Sequence, residues 1–143
     1  YSFQFSYPND WFTTYNNKEQ ECTFFAPFSF VVPQDLSKDF TPIRVEVIPL
    51  QDWENTLKFY ENPNDFYNVL SVKNLDISGH WVKKIELAST GNGDFKFGFA
   101  KVAYLIFDSK NPLVVYYQQL ESSEDIHPNL KILEELVQSL KYF

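Results

Sequence analysis

Glu121, Glu124, Asp125 and His127 are the densest run of potential ligands in the chain. Hard carboxylate oxygens suit calcium, whereas an imidazole beside them favours zinc. Their spacing matches neither an EF-hand loop nor a HExxH helix, and the same acids would favour the positive N-terminal end of a helix that follows. Two readings therefore stand, a calcium or zinc site and a solvated acidic loop. Cys22 is the single thiol, far in sequence from the two histidines, His80 and His127, and reads as a small buried apolar residue. Asp94, Asp108 and Asp125 have no serine or histidine arrangement beside them that would make an acid and base pair, so they read as surface charge. Gly91-Asn92-Gly93 lacks the Lys-Ser/Thr and the helix of a phosphate loop and reads as a turn. Lys101 is more informative. It stands inside a long apolar run, where a charge must be paired, must snorkel to an edge, or must line a cavity.

Composition narrows the classes of partner. The chain has 143 residues, the size of one domain, so one domain over 1–143 is expected. Its net charge of -7 repels a phosphate backbone and an anionic membrane surface, and no basic run with interleaved aromatics offsets this, so nucleic acid is not an expected partner. One cysteine allows no intrachain disulfide. There is no apolar run of membrane-spanning length. Tyr1-Ser2-Phe3-Gln4-Phe5 already alternates like a strand, from which a signal peptide or tether upstream is expected.

These residues must be positioned by two long apolar runs, Phe95 to Phe107 and Leu113 to Leu120, joined by Asp108-Ser109-Lys110-Asn111-Pro112. Side chains alternate with period two, and both faces are apolar, which predicts a central hairpin covered on both sides. Lys101 falls on the face of Phe97, Phe99, Ala103 and Leu105. Ahead of this hairpin the sequence predicts a meander, with Trp11, Phe12 and Tyr15 entering the core and the chain turning back into Cys22 to Ala26. A further strand is expected over Ile43 to Ile48. Asp52 reads as an N-cap for a helix over Trp53 to Glu61, ended by Pro63. Strands follow over Leu70 to Ile77 and Trp81 to Leu87, while Phe66 to Leu70 fits either a helical turn or an extended segment. Gly91-Asn92-Gly93-Asp94 predicts a hairpin turn. Leu130, Leu133, Leu136, Val137 and Leu140 form the apolar stripe of a closing helix that begins at His127-Pro128.

Aromatic residues make up 19% of the chain, and most belong to the core. Phe24, Phe25, Phe28 and Phe30 straddle Pro27 in the stretch before Pro33, and no simple period points all four inward. An exposed patch covered by a partner is expected there.

Three stretches carry a resemblance. Phe3-Gln4-Phe5-Ser6-Tyr7-Pro8-Asn9-Asp10-Trp11 resembles the opening strand and Tyr-Pro-x-x-Trp of PsbP-like domains. Leu133-Glu134-Glu135-Leu136-Val137-Gln138-Ser139-Leu140-Lys141-Tyr142-Phe143 is similar to their closing helix and tail, and Asp76 to Lys84 to a central strand, glycine, strand passage. The resemblance implies an α+β fold, an antiparallel β-sheet sandwiched between helices (αβα). It further implies a non-enzymatic exported binding or assembly module, protein-binding and without a cofactor, of the single-domain bacterial secreted or lipoprotein-like type. Such a module works outside the cytoplasm, in the cell envelope, secreted or in a thylakoid lumen, and meets a membrane only through a tether. A small-ligand or divalent-cation module using a cleft between sheet and helix is the alternative reading.

Overall fold

Period-two alternation becomes a seven-stranded, wholly antiparallel sheet in the computed structural model, which describes residues 3–16, 21–30 and 39–142. In chain order the strands are β1 (Phe3–Gln4), β2 (Phe12–Asn16), β3 (Glu21–Ala26), β4 (Ile43–Val47), β5 (Tyr67–Ile77), β6 (His80–Ser89), β7 (Ala100–Ile106), β8 (Leu113–Gln118) and β9 (Lys141–Tyr142). Two helices, α1 (Trp53–Glu61) and α2 (Ile126–Gln138), complete the fold. The large sheet runs β2-β3-β4-β8-β7-β6-β5, and β1 pairs with β9 in a separate two-stranded sheet. The expected hairpin β7-β8 is therefore central, with Ala103 opposite Tyr116 and Leu105 opposite Val114.

Each pleat face builds its own core. Val102, Tyr104 and Ile106 join Val115 and Tyr117 beneath Leu133, Leu136 and Val137 of α2. The opposite face, carrying Ile85, Leu87, Ala103, Leu105, Val114 and Tyr116, packs against Trp53 and Tyr60 of α1. This is the expected αβα layering. α2 keeps its charged residues Lys131, Glu134 and Glu135 outside, and burying its Leu and Val side chains favours docking by about 1.5–3 kcal/mol each before entropy is subtracted. Asp125 caps it by accepting from the backbone N–H of His127.

Several expectations change. Asp52 makes no side-chain cap to α1. It lies in a 3-10 turn (Leu50–Asp52) whose helical backbone cannot aim the carboxylate back at the first N–H groups, and its carbonyl instead accepts from Thr56 Oγ1 at 2.8 Å. Phe12 is 49% exposed, because strand alternation turns it away from the core that Trp11 enters. The side chains of Tyr15 and Cys22 lie outside the described residues, as does the backbone over 31–38. Of Phe66 to Leu70, Phe66 is a bend and the rest is extended, opening β5 at Tyr67. The run at Phe95 does not become a strand until Ala100: Gly98 takes φ 84, Ser89 exchanges backbone bonds with Gly98 and Phe99, and Phe97 is left 77% exposed. The Gly91 stretch is thus part of a broad loop between β6 and β7 and not a tight hairpin turn. The tight turn is at Ser78-Gly79, both at positive φ, where Asp76 accepts from the Gly79 N–H.

Candidate functional site

Nine helical residues span about 14 Å, whereas seven strands lie about 29 Å across. α1 therefore cannot roof its whole face of the sheet. At the strip it leaves, the chain forms a cleft of about 450 Å³ lined by Asp39, Phe66, Tyr67, Ser89, Gly93, Asp94, Phe95 and Lys101. Ser89 pins its loop wall. The hydroxyl donates to the Lys96 carbonyl and accepts from the Phe99 N–H at 2.8 Å. Thr90 ties the same loop to the start of β5, its N–H donating to the Phe66 carbonyl and its hydroxyl to that of Asp65. A Cβ at Gly93 would stand 3.0 Å from the Phe66 ring, so any larger residue there would push that ring aside.

Lys101 forms the floor. Strand β7 sets it between Leu87 on β6 and Gln118 on β8, on the α1 face, and it is only 8% exposed. Three tyrosine rings surround its ammonium: Tyr116 at 4.2 Å from Nζ to ring centroid, Tyr67 at 5.2 Å and Tyr60 at 5.4 Å. These are cation–π distances. Among the described residues Nζ makes no hydrogen bond and no ion pair. The neighbouring polar groups are engaged elsewhere, for Tyr67 donates to Gln118 Oε1 at 2.7 Å, Gln118 Nε2 donates to the Gln119 carbonyl, and Tyr116 donates to Asp39 Oδ1 at 2.6 Å.

Electrostatics follow from this enclosure. Burial pushes Lys101 below the ordinary lysine value, against the pull of Asp39 and Glu46, and the Arg44 charge adds to the lowering. Burial first, and nearby carboxylates second, hold the phenols of Tyr60, Tyr67 and Tyr116 well above their usual range, so the rings stay neutral. Beside the cleft, Arg44 lies over the Phe24 ring and pairs with Glu46 at 3.1 Å. The arrangement offers one buried cationic group beneath aromatic walls, with Asp39 and Asp94 at its margin. The serine in its lining, Ser89, donates to a backbone carbonyl and not to a side-chain base.

The site residues expected from sequence are distributed otherwise. Phe24 and Phe25 are 5% and 2% exposed, which corrects the four-residue patch: β3 is paired on both sides, so alternation drives Phe24 against Phe40 and Arg44 on one face and Phe25 against Tyr7 and the α2-side core on the other. Phe28 is exposed, and Phe30 is half-buried against Phe40. In the acidic group, Asp125 pairs with the His127 ring at 3.3 Å, while Glu124 accepts from the Leu120 N–H and is pushed above its usual value by burial. Among the described residues no group of three or more His, Cys, Asp or Glu side chains is placed to hold one metal ion. His127 borders a second cleft, about 250 Å³, between α2 and the sheet, together with Lys84, Glu86, Tyr104 and Glu134.

Asp39, Tyr60, Tyr67 and Tyr116 were not legible as site residues, because a loop, a helix and two strands distant in sequence bring them together only in the folded chain. The one available signal was the charge at Lys101 within an apolar strand.

No protein-family model matches the chain, and no curated protein matches its sequence. Among solved structures, the solution structure of cyanobacterial PsbP (CyanoP) from Synechocystis sp. PCC 6803 is similar to it. The TM-score is 0.57 at 13% identity, over 99% of this chain and 87% of that one. At such identity the likeness carries the fold and nothing finer. The chain has a PsbP-like fold.

Proposed function

We propose that this PsbP-like chain is a non-enzymatic binding module working outside the cytoplasm, and that the Lys101 cleft is where it takes its ligand. The observation that carries this reading is a lysine nine-tenths buried on three tyrosine rings, facing a cleft with no ion-pair partner among the described residues. A buried charge is costly to keep, and buried, perturbed ionisable groups in clefts cluster at functional sites. The extracytoplasmic setting follows the resemblance carried by the opening and closing stretches of the sequence. Among the described residues no helix is long and apolar enough to cross a membrane.

A panel of small amphipathic molecules followed by amide chemical shifts tests the site. Shifts should cluster at Tyr67, Ser89 and Lys101, and the bound molecule should be recovered unaltered. Shifts confined to the α2 cleft would defeat the site, and chemical conversion of the ligand would defeat the non-enzymatic reading. The second reading, a protein-binding surface, is favoured by exposed Phe28 at the margin of the sheet. Loss of a partner in Phe28→Ser with the Lys101 cleft intact would select it.

A further inference from the structure

The charges around the cleft constrain what can enter it. A neutral apolar molecule would bury Lys101 further without a counter-charge. A simple anion would satisfy Lys101 and then face Asp39 and Asp94, while a simple cation would match those acids and meet Lys101. Asp39 and Asp94 line the cleft together with Lys101, and the fields of both reach Tyr67, whose ring also faces the lysine, so the cleft carries a positive pole and a negative one. Phe66 and Phe95 supply apolar walls between the poles, and about 450 Å³ is within the range of small-molecule sites.

We propose that the cleft takes a small zwitterion, an amino-carboxylate with an aromatic or bulky aliphatic body. This rests on the cleft being the ligand site, as argued above. The carboxylate meets Lys101 Nζ over the Tyr116 ring. The ammonium turns to Asp94 and to Asp39 Oδ2, and the body lies between Phe66 and Phe95. Each formal charge of the ligand then has an opposite charge in the protein, and the buried lysine gains the partner it lacks among the described residues.

Four probes of similar size separate the possibilities by calorimetry on the full chain: L-phenylalanine, 3-phenylpropanoate, phenethylamine and benzyl alcohol. L-phenylalanine is expected to bind at least about tenfold tighter than either singly charged analogue, since each loses one charge-assisted contact. Lys101→Met should bring L-phenylalanine down to the level of phenethylamine. Asp94→Asn, an exposed loop change that does not endanger folding, should bring it to the level of 3-phenylpropanoate. Equal or tighter binding of a singly charged or neutral probe, with shifts still at Lys101, would overturn the zwitterion and leave the cleft reading standing. Absence of heat and of shifts for all four probes at millimolar concentration would overturn both.

Discussion

Replacing Lys101 by methionine removes the ammonium and keeps most of the side-chain volume, so the change in stability measures what the charge costs. Its favourable contacts are the three rings. At 4.2 Å the Tyr116 contact is worth about 2 kcal/mol in a desolvated setting, and the two beyond 5 Å about 0.5 kcal/mol each. Against this stands the effective penalty for burying one ion, about 4 kcal/mol. Methionine escapes that penalty, so Lys101→Met should be more stable than the natural chain by about 1 kcal/mol. With unfolding entropy near 2.1 cal/mol/K per residue, a chain of 143 residues should then melt about 3 °C higher. Urea unfolding checks the value independently of heat capacity, with an unchanged m-value showing that the denatured state has not moved. A loss of about 1 kcal/mol or more would refute the reasoning, because the rings and carboxylates would then outweigh burial and no ligand would be needed to account for the lysine.

Three other outcomes are expected. Gly98→Ala should cost about 1–2 kcal/mol in denaturant melts, since φ 84 strains any residue with a Cβ even though nothing stands within 4 Å of the added atom. Phe25→Ser should cost about 3–5 kcal/mol and Phe28→Ser less than about 0.5 kcal/mol, the difference read directly from paired melts. At Asp108, burial is outweighed by the N–H groups of Asn111 and Lys110 and by His80, and the carboxyl lies below its usual value. A lowered folded-state value stabilises fully above the unfolded value and is lost as pH falls through the folded one, so the gap between natural chain and Asp108→Asn should be present at pH 7 and close as acid carries the pH below the ordinary aspartate range. A gap that widened in acid would reverse the sign and reject the assignment.

Much of the fold could be read from local pattern. Helix α1 spans the expected Trp53 to Glu61, and Leu130, Leu133, Leu136 and Val137 face the sheet as their period required, whereas Leu140 reaches the core from beyond the end of α2 at Gln138. Strands failed to be legible where loop chemistry competed with propensity. Phe95, Phe97 and Phe99 alternate, yet the Ser89 hydroxyl takes the Phe99 N–H, Gly98 turns left-handed, and the ladder starts only where Ala100 meets Ala88. Phe24 and Phe25 misled in the opposite direction, because adjacent aromatics in a strand paired on both sides can both be buried, one on each face. The cleft was the least legible feature: Tyr60, Tyr67 and Tyr116 come from a helix and two strands that are not neighbours in the sheet, and no spacing within one segment announces them.

The small clasp between β1 and β9 gives the molecule a mechanical polarity. Among the described residues two pairs hold it, Phe3 with Tyr142 and Gln4 with Lys141, and its antiparallel sense brings both described ends of the chain out at the same corner. Tension applied between those ends would load the pairs one after the other, as in a zipper, while β7 and β8 in the interior carried nothing. Peeling β9 away would first lift Tyr142 off the His80 ring, stacked at 4.4 Å, and break its bond to the Asn111 carbonyl. Under force the chain would therefore open from beside α2, and β8, which carries the Tyr116 ring under Lys101, would be loaded only after that helix had left the sheet.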